Sequence, residues 1–227
     1  MVGRRKHQVR RLLMLKGKPF SNEWLDSLKG THKIIVTGPQ RSGTRFVGML
    51  LDERLKNFKY MNKDIHEAYE CPTILHTPGQ SHKIHTLSRG TGVHFELEVK
   101  TLVVWVDRNT EDVIESEDRI YPNKNGPQID MFGNPLVSWH ERCFENEEKP
   151  KYLEMFPEHE EKIKSFDRNV HMKKWVWENI QRDKMAVDFT EIKYESLEDQ
   201  EEFVPKEKRK DWTGKQVRIS GRNAYHN

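Results

Sequence analysis

The stretch Lys33-Ile-Ile-Val-Thr-Gly-Pro-Gln-Arg-Ser-Gly-Thr44 decides the fold. Lys33 to Thr37 is short, β-branched and stopped by Gly38-Pro39, which predicts a buried strand. From Thr44 to about Lys56, the residues Phe46, Val47, Leu50, Leu51 and Leu55 recur along one side of a helix. Strand, glycine-bounded turn and helix together open a βαβ unit. Outward from there, a second strand is expected near Phe58 to Met61. Residues 62–92 mix His, Pro, Gly and Thr and read mostly as loop with short elements. Thr101-Leu-Val-Val-Trp-Val-Asp107 is hydrophobic almost without interruption, as a central strand covered on both faces should be. Asn109 or Thr110 then caps a helix whose first turn holds Glu111 and Asp112, where the helix dipole favours acids.

Further along, 121–139 is loop by its Pro and Gly content, and the charge-dense 141–164 reads as an exposed, helix-rich insertion. Residues 169–182 predict a helix with Met172, Trp175, Val176 and Ile180 on its apolar side. Ala186 to Phe189 and Ile192 to Tyr194 offer a late strand. Strands alternating with helices predict an α/β three-layer sandwich on a mainly parallel central sheet. The 227 residues form a single domain on this reading, with 1–30 a basic, helical N-terminal segment and 121–165 a loop and charged insertion.

Composition narrows the function. The 39 Lys+Arg against 36 Asp+Glu leave a net charge of +3, which does not mark a general nucleic-acid binder. No apolar run approaches the roughly 20 residues of a membrane span, and the N-terminus lacks the apolar centre of a signal peptide. Two cysteines, Cys71 and Cys143, are too few for a disulfide framework and point to a reducing, cytoplasmic compartment. A membrane-spanning protein and a disulfide-stapled secreted module are excluded. Charge is unevenly spread: Met1 to Lys18 carries seven cations and no acid, with Val9, Leu12, Leu13 and Leu15 among them. That pattern predicts a short basic amphipathic helix.

A turn such as Gly38-Pro-Gln-Arg-Ser-Gly-Thr44 gathers successive N–H groups at the positive end of a helix, so an anion is its natural guest. The nucleoside-triphosphate loop, Gly-x4-Gly-Lys-Ser/Thr, fits through Gly43 and then fails. Thr44-Arg45 stands where the phosphate-binding lysine and the magnesium-ligating hydroxyl belong, and a cation, Arg41, lies inside the loop instead. A second anchor follows the central strand. Arg108 comes directly after Asp107, and Ser116 lies eight residues on, in the next helix. Parallel topology brings both strand ends to one edge of the sheet, where α/β proteins bind ligands. Arg108 then offers a bidentate donor and Ser116 a hydroxyl to a second phosphate, away from the first. Two separated phosphate positions without the triphosphate lysine suit a nucleotide phosphorylated at both 5′ and 3′ positions.

On these residues the chain resembles sulfotransferases that use 3′-phosphoadenosine-5′-phosphosulfate (PAPS), which have a fold like that of the P-loop nucleotide hydrolases. Gly38 to Thr44 is similar to their 5′-phosphosulfate loop, a Lys or Arg followed by Ser-Gly-Thr. Val103-Val-Trp-Val-Asp-Arg-Asn-Thr-Glu-Asp-Val-Ile-Glu-Ser116 resembles their 3′-phosphate segment, with Asp112 matching an Asp between the Arg and the Ser. Lys193-Tyr-Glu-Ser-Leu197 is similar to the family's late Tyr-Glu-x-Leu strand, and Arg209 to Gln216 loosely to its basic closing segment. Arg45 and Asn109-Thr110 depart from the usual residues at their positions.

The resemblance implies transfer of a sulfuryl group from PAPS to a hydroxyl or amine, leaving adenosine 3′,5′-bisphosphate, with no metal. It implies a cofactor site of Arg41, Ser42, Gly43, Thr44, Arg45, Arg108 and Ser116. Arg41 would also be catalytic, stabilising charge on the 5′-phosphate leaving side together with the N–H groups of Ser42, Gly43 and Thr44. The family's base is a Glu or His; Glu67 and His76 are the candidates here, with Glu67 nearer the glycine-loop helix and His76 in a similar His-x-Pro setting. His82 and His66 stand behind them. The acceptor is a small molecule or carbohydrate, and no nucleic acid is expected. Three other readings compete. The first is a small-molecule or nucleoside kinase, with Val103 to Asp107 as its hydrophobic run and acid. The second is a non-catalytic anion-binding module using the basic ends. The third is a metal site within His66, Cys71, His76, His82, His85 and His94, whose spacings match no standard zinc pattern.

Overall fold

The computed structural model describes residues 15, 17–61, 72–77, 100–120, 149–163, 169–182, 187–205, 217–219 and 222–224. In chain order the helices and strands are α1 (Asn22–Ser27), β1 (Lys33–Thr37), α2 (Thr44–Arg54), β2 (Lys59–Met61), β3 (Thr73–His76) and β4 (Thr101–Asp107). After them come α3 (Thr110–Ile120), α4 (Lys149–Met155), α5 (Glu160–Ile163), α6 (Asn169–Val176), β5 (Asp188–Lys193), β6 (Val217–Ile219) and β7 (Arg222–Ala224). The first five strands form one sheet in the order β2-β3-β1-β4-β5, and every pairing in it is parallel. β6 and β7 make a separate antiparallel ribbon.

Alternation along the strands builds the layers, because successive side chains leave opposite faces of a sheet. Ile34, Val36, Leu102, Val104 and Val106 point one way, onto Val47, Leu50 and Leu51 of α2 and onto Trp24 and Leu28. Ile35, Val103 and Trp105 point the other way, onto Trp177, Val187 and Phe189. Trp105 and Trp177 stack with ring centroids 4.3 Å apart and planes 4° from parallel. A sheet buried on both faces needs a nearly continuous apolar run, and β4 has one. Helices thus cover both sides of a parallel sheet, as expected. Among the described residues no helix is long and apolar enough to cross a membrane.

Three expectations take a more definite form. Residues 62–92 hold a core strand, β3, whose four residues are all buried and which is inserted between β1 and β2. Thr-Ile-Leu-His is too short and too mixed for its own pattern to announce it; the neighbouring strands make it one. The charged segment around 149–163 is helical and largely exposed, as expected, but it also has a buried side. Tyr152 and Phe156 are buried against Met172, Val176 and Ile180, so α4 and the following turn seat on α6 and only their charged sides face water. The late strand is present as β5, and Tyr194, expected within it, begins a 3-10 turn beyond it.

Strand order positions the site. The chain leaves β1 towards β3 and β2 on one side, and leaves β4 towards β5 on the other. Between β1 and β4 the loops at the carboxyl ends therefore diverge, and a crevice opens there. Thr37 pairs in register with Trp105, so β4 runs two residues past the end of β1 and stands beside the glycine turn.

Candidate functional site

The turn from Gly38 to Gly43 lies against the end of β4. A Cβ on Gly38 would come within 2.4 Å of the Val106 carbonyl oxygen, so only glycine permits this approach. Gly43, at φ 94°, precedes the first turn of α2. Ser42 braces the turn, its hydroxyl donating to the Pro39 carbonyl at 2.7 Å and its N–H to the same oxygen at 3.2 Å. Both Ser42 donors are thus turned into the loop. The first N–H groups of α2 lack intrahelical partners by geometry and carry the positive end of the helix dipole.

Arg41 takes a left-handed φ of 69°, rare for a residue with a side chain. Its guanidinium reaches across to α3, where Nε and Nη2 donate to Ser116 Oγ at 3.3 and 3.4 Å. Arg108, buried after β4, donates from Nη1 to the Arg41 carbonyl at 3.1 Å. Arg41, Arg108 and Ser116, from three separate elements, are therefore one cluster. The pairing of Arg41 with Ser116 differs from an arrangement in which these two serve opposite ends of a ligand: in this conformation Arg41 lies at the Ser116 end. Asn109 caps α3, its Oδ1 accepting from the N–H groups of Glu111 and Asp112 at 2.9 and 3.2 Å. Its own N–H donates to Glu195 Oε1 at 2.8 Å, tying the turn after β4 to the end of β5.

His76 ends β3, across β1 from Arg108. Its Nε2 lies 3.0 Å from Thr44 Oγ1, with both residues buried. Burial first, and the Arg45 charge second, push the imidazole down to about 4, so it is neutral at physiological pH. Tyr60 stacks beside it, centroids 6.3 Å apart, with its hydroxyl raised to about 12 by burial against the lowering effect of Arg45. Arg45 thus exerts its field on the β2–β3 side of the crevice. Glu67, His66 and His82 lie outside the described residues, as do Cys71, Cys143, His85 and His94.

Two features of the site were not singled out as binding residues from the sequence. Tyr194 covers Gly43 from above, and the Arg108 guanidinium carbon sits 4.9 Å from its ring centroid. The Lys193 to Leu197 motif contained this tyrosine, but only the return of β5 beside β4 aims it at the loop. The other is the lysine pair on Asp107: Lys174 Nζ is 2.7 Å from Oδ1 and Lys193 Nζ 2.9 Å from Oδ2. Burial by itself would raise the Asp107 carboxyl, but hydrogen bonds from both lysines and their charge outweigh it and hold it below the ordinary value. Lys174 also donates to the Arg108 carbonyl, linking α6 to the cluster. Arg108, Asn109, Lys174, Trp175, Glu178 and Lys193 help line an open cavity of about 620 Å³ beyond the end of β4, which shares Arg108 with the cluster.

Comparison with known proteins finds no matching family model, no matching curated protein and no matching solved structure.

Proposed function

We propose that this chain is a sulfotransferase, with a P-loop-like fold, that moves the sulfuryl group of PAPS to a hydroxyl or amine of a carbohydrate or small molecule. The observation that carries the reading is the meeting of Arg41, Arg108 and Ser116 where the β1 and β4 loops diverge. A hydroxyl and two cations come together beside a helix start, donors of the kind that hold an anionic group. The adjoining cavity of about 620 Å³ falls in the range of about 300–1,000 Å³ usual for small-molecule sites and has room for a nucleoside.

In the reaction, the acceptor oxygen or nitrogen forms a bond to sulfur as the bond from sulfur to the 5′-phosphate oxygen breaks. The acceptor proton passes to a base, Glu67 or His76. Negative charge grows on the leaving phosphate, which the α2 N-terminus, the Thr44 hydroxyl and the nearby guanidinium groups stabilise in place. The transferred group bears less charge than a phosphoryl group, so fixed donors suffice. In the kinase reading Asp107 would hold magnesium, yet both its oxygens already carry an ammonium partner.

A thermal-shift comparison followed by calorimetry tests the proposal. Adenosine 3′,5′-bisphosphate should stabilise the protein without added metal, and Arg108→Ala should weaken that binding about 10- to 100-fold, the worth of a charged hydrogen bond. Stabilisation by Mg·ATP alone would sink the reading in favour of a kinase. Transfer of labelled sulfate to an acceptor library then identifies the substrate.

A further inference from the structure

Thr44 and His76 come from the first residue of α2 and the last residue of β3, separated by 32 positions in sequence. Only 8% of His76 is exposed and only 3% of Thr44, so their 3.0 Å contact is made away from water. Among the described residues, Tyr60 stacks beside the ring and Arg45, on the same helical turn as Thr44, places a charge near it. A base for an incoming acceptor needs an accessible nitrogen with a free lone pair. Nε2 instead faces a hydroxyl at the mouth of the anion loop.

The geometry points to His76 as a positioning residue: its Nε2–H donates to Thr44 Oγ1 and so turns the threonine's own proton outward, onto the 5′-phosphate of the nucleotide. This rests on the nucleotide reading above. A hydroxyl has one proton to donate. Were that proton spent on an unprotonated Nε2, Thr44 could only accept, and an acceptor facing a phosphate repels it. A proton held at Nε2 makes Thr44 a donor beside the helix N–H groups, all aimed at one anion. The depressed basicity of the ring fits this role, since a neutral imidazole places no second full charge beside Arg45. It suits a catalytic base poorly, because the best bases titrate near the working pH. On this inference the acceptor's proton goes to a group other than His76.

Two measurements test it. Nitrogen-15 NMR of the ligand-free protein reads the tautomer: His76 should carry its proton on Nε2 and remain neutral down to about pH 5, and Thr44→Val should shift its Nε2 resonance. A proton on Nδ1, or titration near the ordinary value of 6.5, overturns the inference whatever the protein's function. Calorimetry with adenosine 3′,5′-bisphosphate reads the consequence. Thr44→Val and His76→Ala should each weaken binding about 3- to 10-fold, with the double variant no weaker than the worse single one. His76→Gln, whose amide nitrogen can donate at nearly the same place, should recover most of what His76→Ala loses. Variants at His76 that keep full affinity yet lose sulfuryl transfer would make it the base instead. A wild-type protein that does not bind the bisphosphate overturns the nucleotide reading, while the NMR result still judges the hydrogen bond.

Discussion

Replacing Gly43 with alanine tests the packing that holds the loop. At φ 94° an alanine pays the left-handed penalty of about 1–2 kcal/mol. Its Cβ would also stand 2.2 and 2.4 Å from two ring carbons of Tyr194. Carbon atoms rest about 3.5–4.0 Å apart, so the ring must withdraw by about 1.5 Å. It has little room: Phe46 lies 6.1 Å and Phe203 5.5 Å from it by centroid, and Arg108 covers its face at 4.9 Å. Overpacking of this kind costs about 1–3 kcal/mol, for a total of about 2–5 kcal/mol. Urea unfolding monitored by tryptophan fluorescence should show the midpoint fall at constant slope. In a Tyr194→Ala background the same substitution should cost only the backbone part, about 1–2 kcal/mol, a coupling readable from the double-mutant cycle. A cost below about 0.5 kcal/mol, or an equal cost in both backgrounds, would refute the packing described here.

Two further outcomes follow from the same geometry. Arg41→Gly should be about 1 kcal/mol more stable than Arg41→Ala, because glycine accepts the left-handed turn, while both lose bisphosphate affinity; equal urea midpoints would show that the turn holds no strain. Asp107 is held below its ordinary value of 3.8, so its contribution to stability is present above that pH and is lost as pH falls through the lower, folded-state value. Asp107→Asn should therefore be least stable relative to wild type at neutral pH, with the difference closing in acid; a difference that does not change with pH would break the link to the Lys174 and Lys193 pairs.

What the sequence determined by itself was whatever consecutive residues encode. The β-branched run into Gly38-Pro39 makes β1, the stripe from Phe46 to Leu55 makes α2, and the unbroken apolar run of β4 requires cover on both faces. From these came the α/β class and the residues of the glycine loop. Tertiary structure alone decided which distant residues meet. Strand order set β3 beside β1 and so put His76 on Thr44, and it carried Arg41 to Ser116 across 75 positions. The return of β5 laid Tyr194 over Gly43, and docking on α6 buried one side of a segment whose charge read as exposure. The physical reason is common to all of them: a periodic pattern records which side of an element is apolar, whereas partners across the sheet depend on the sum of many weak packing energies over the whole chain.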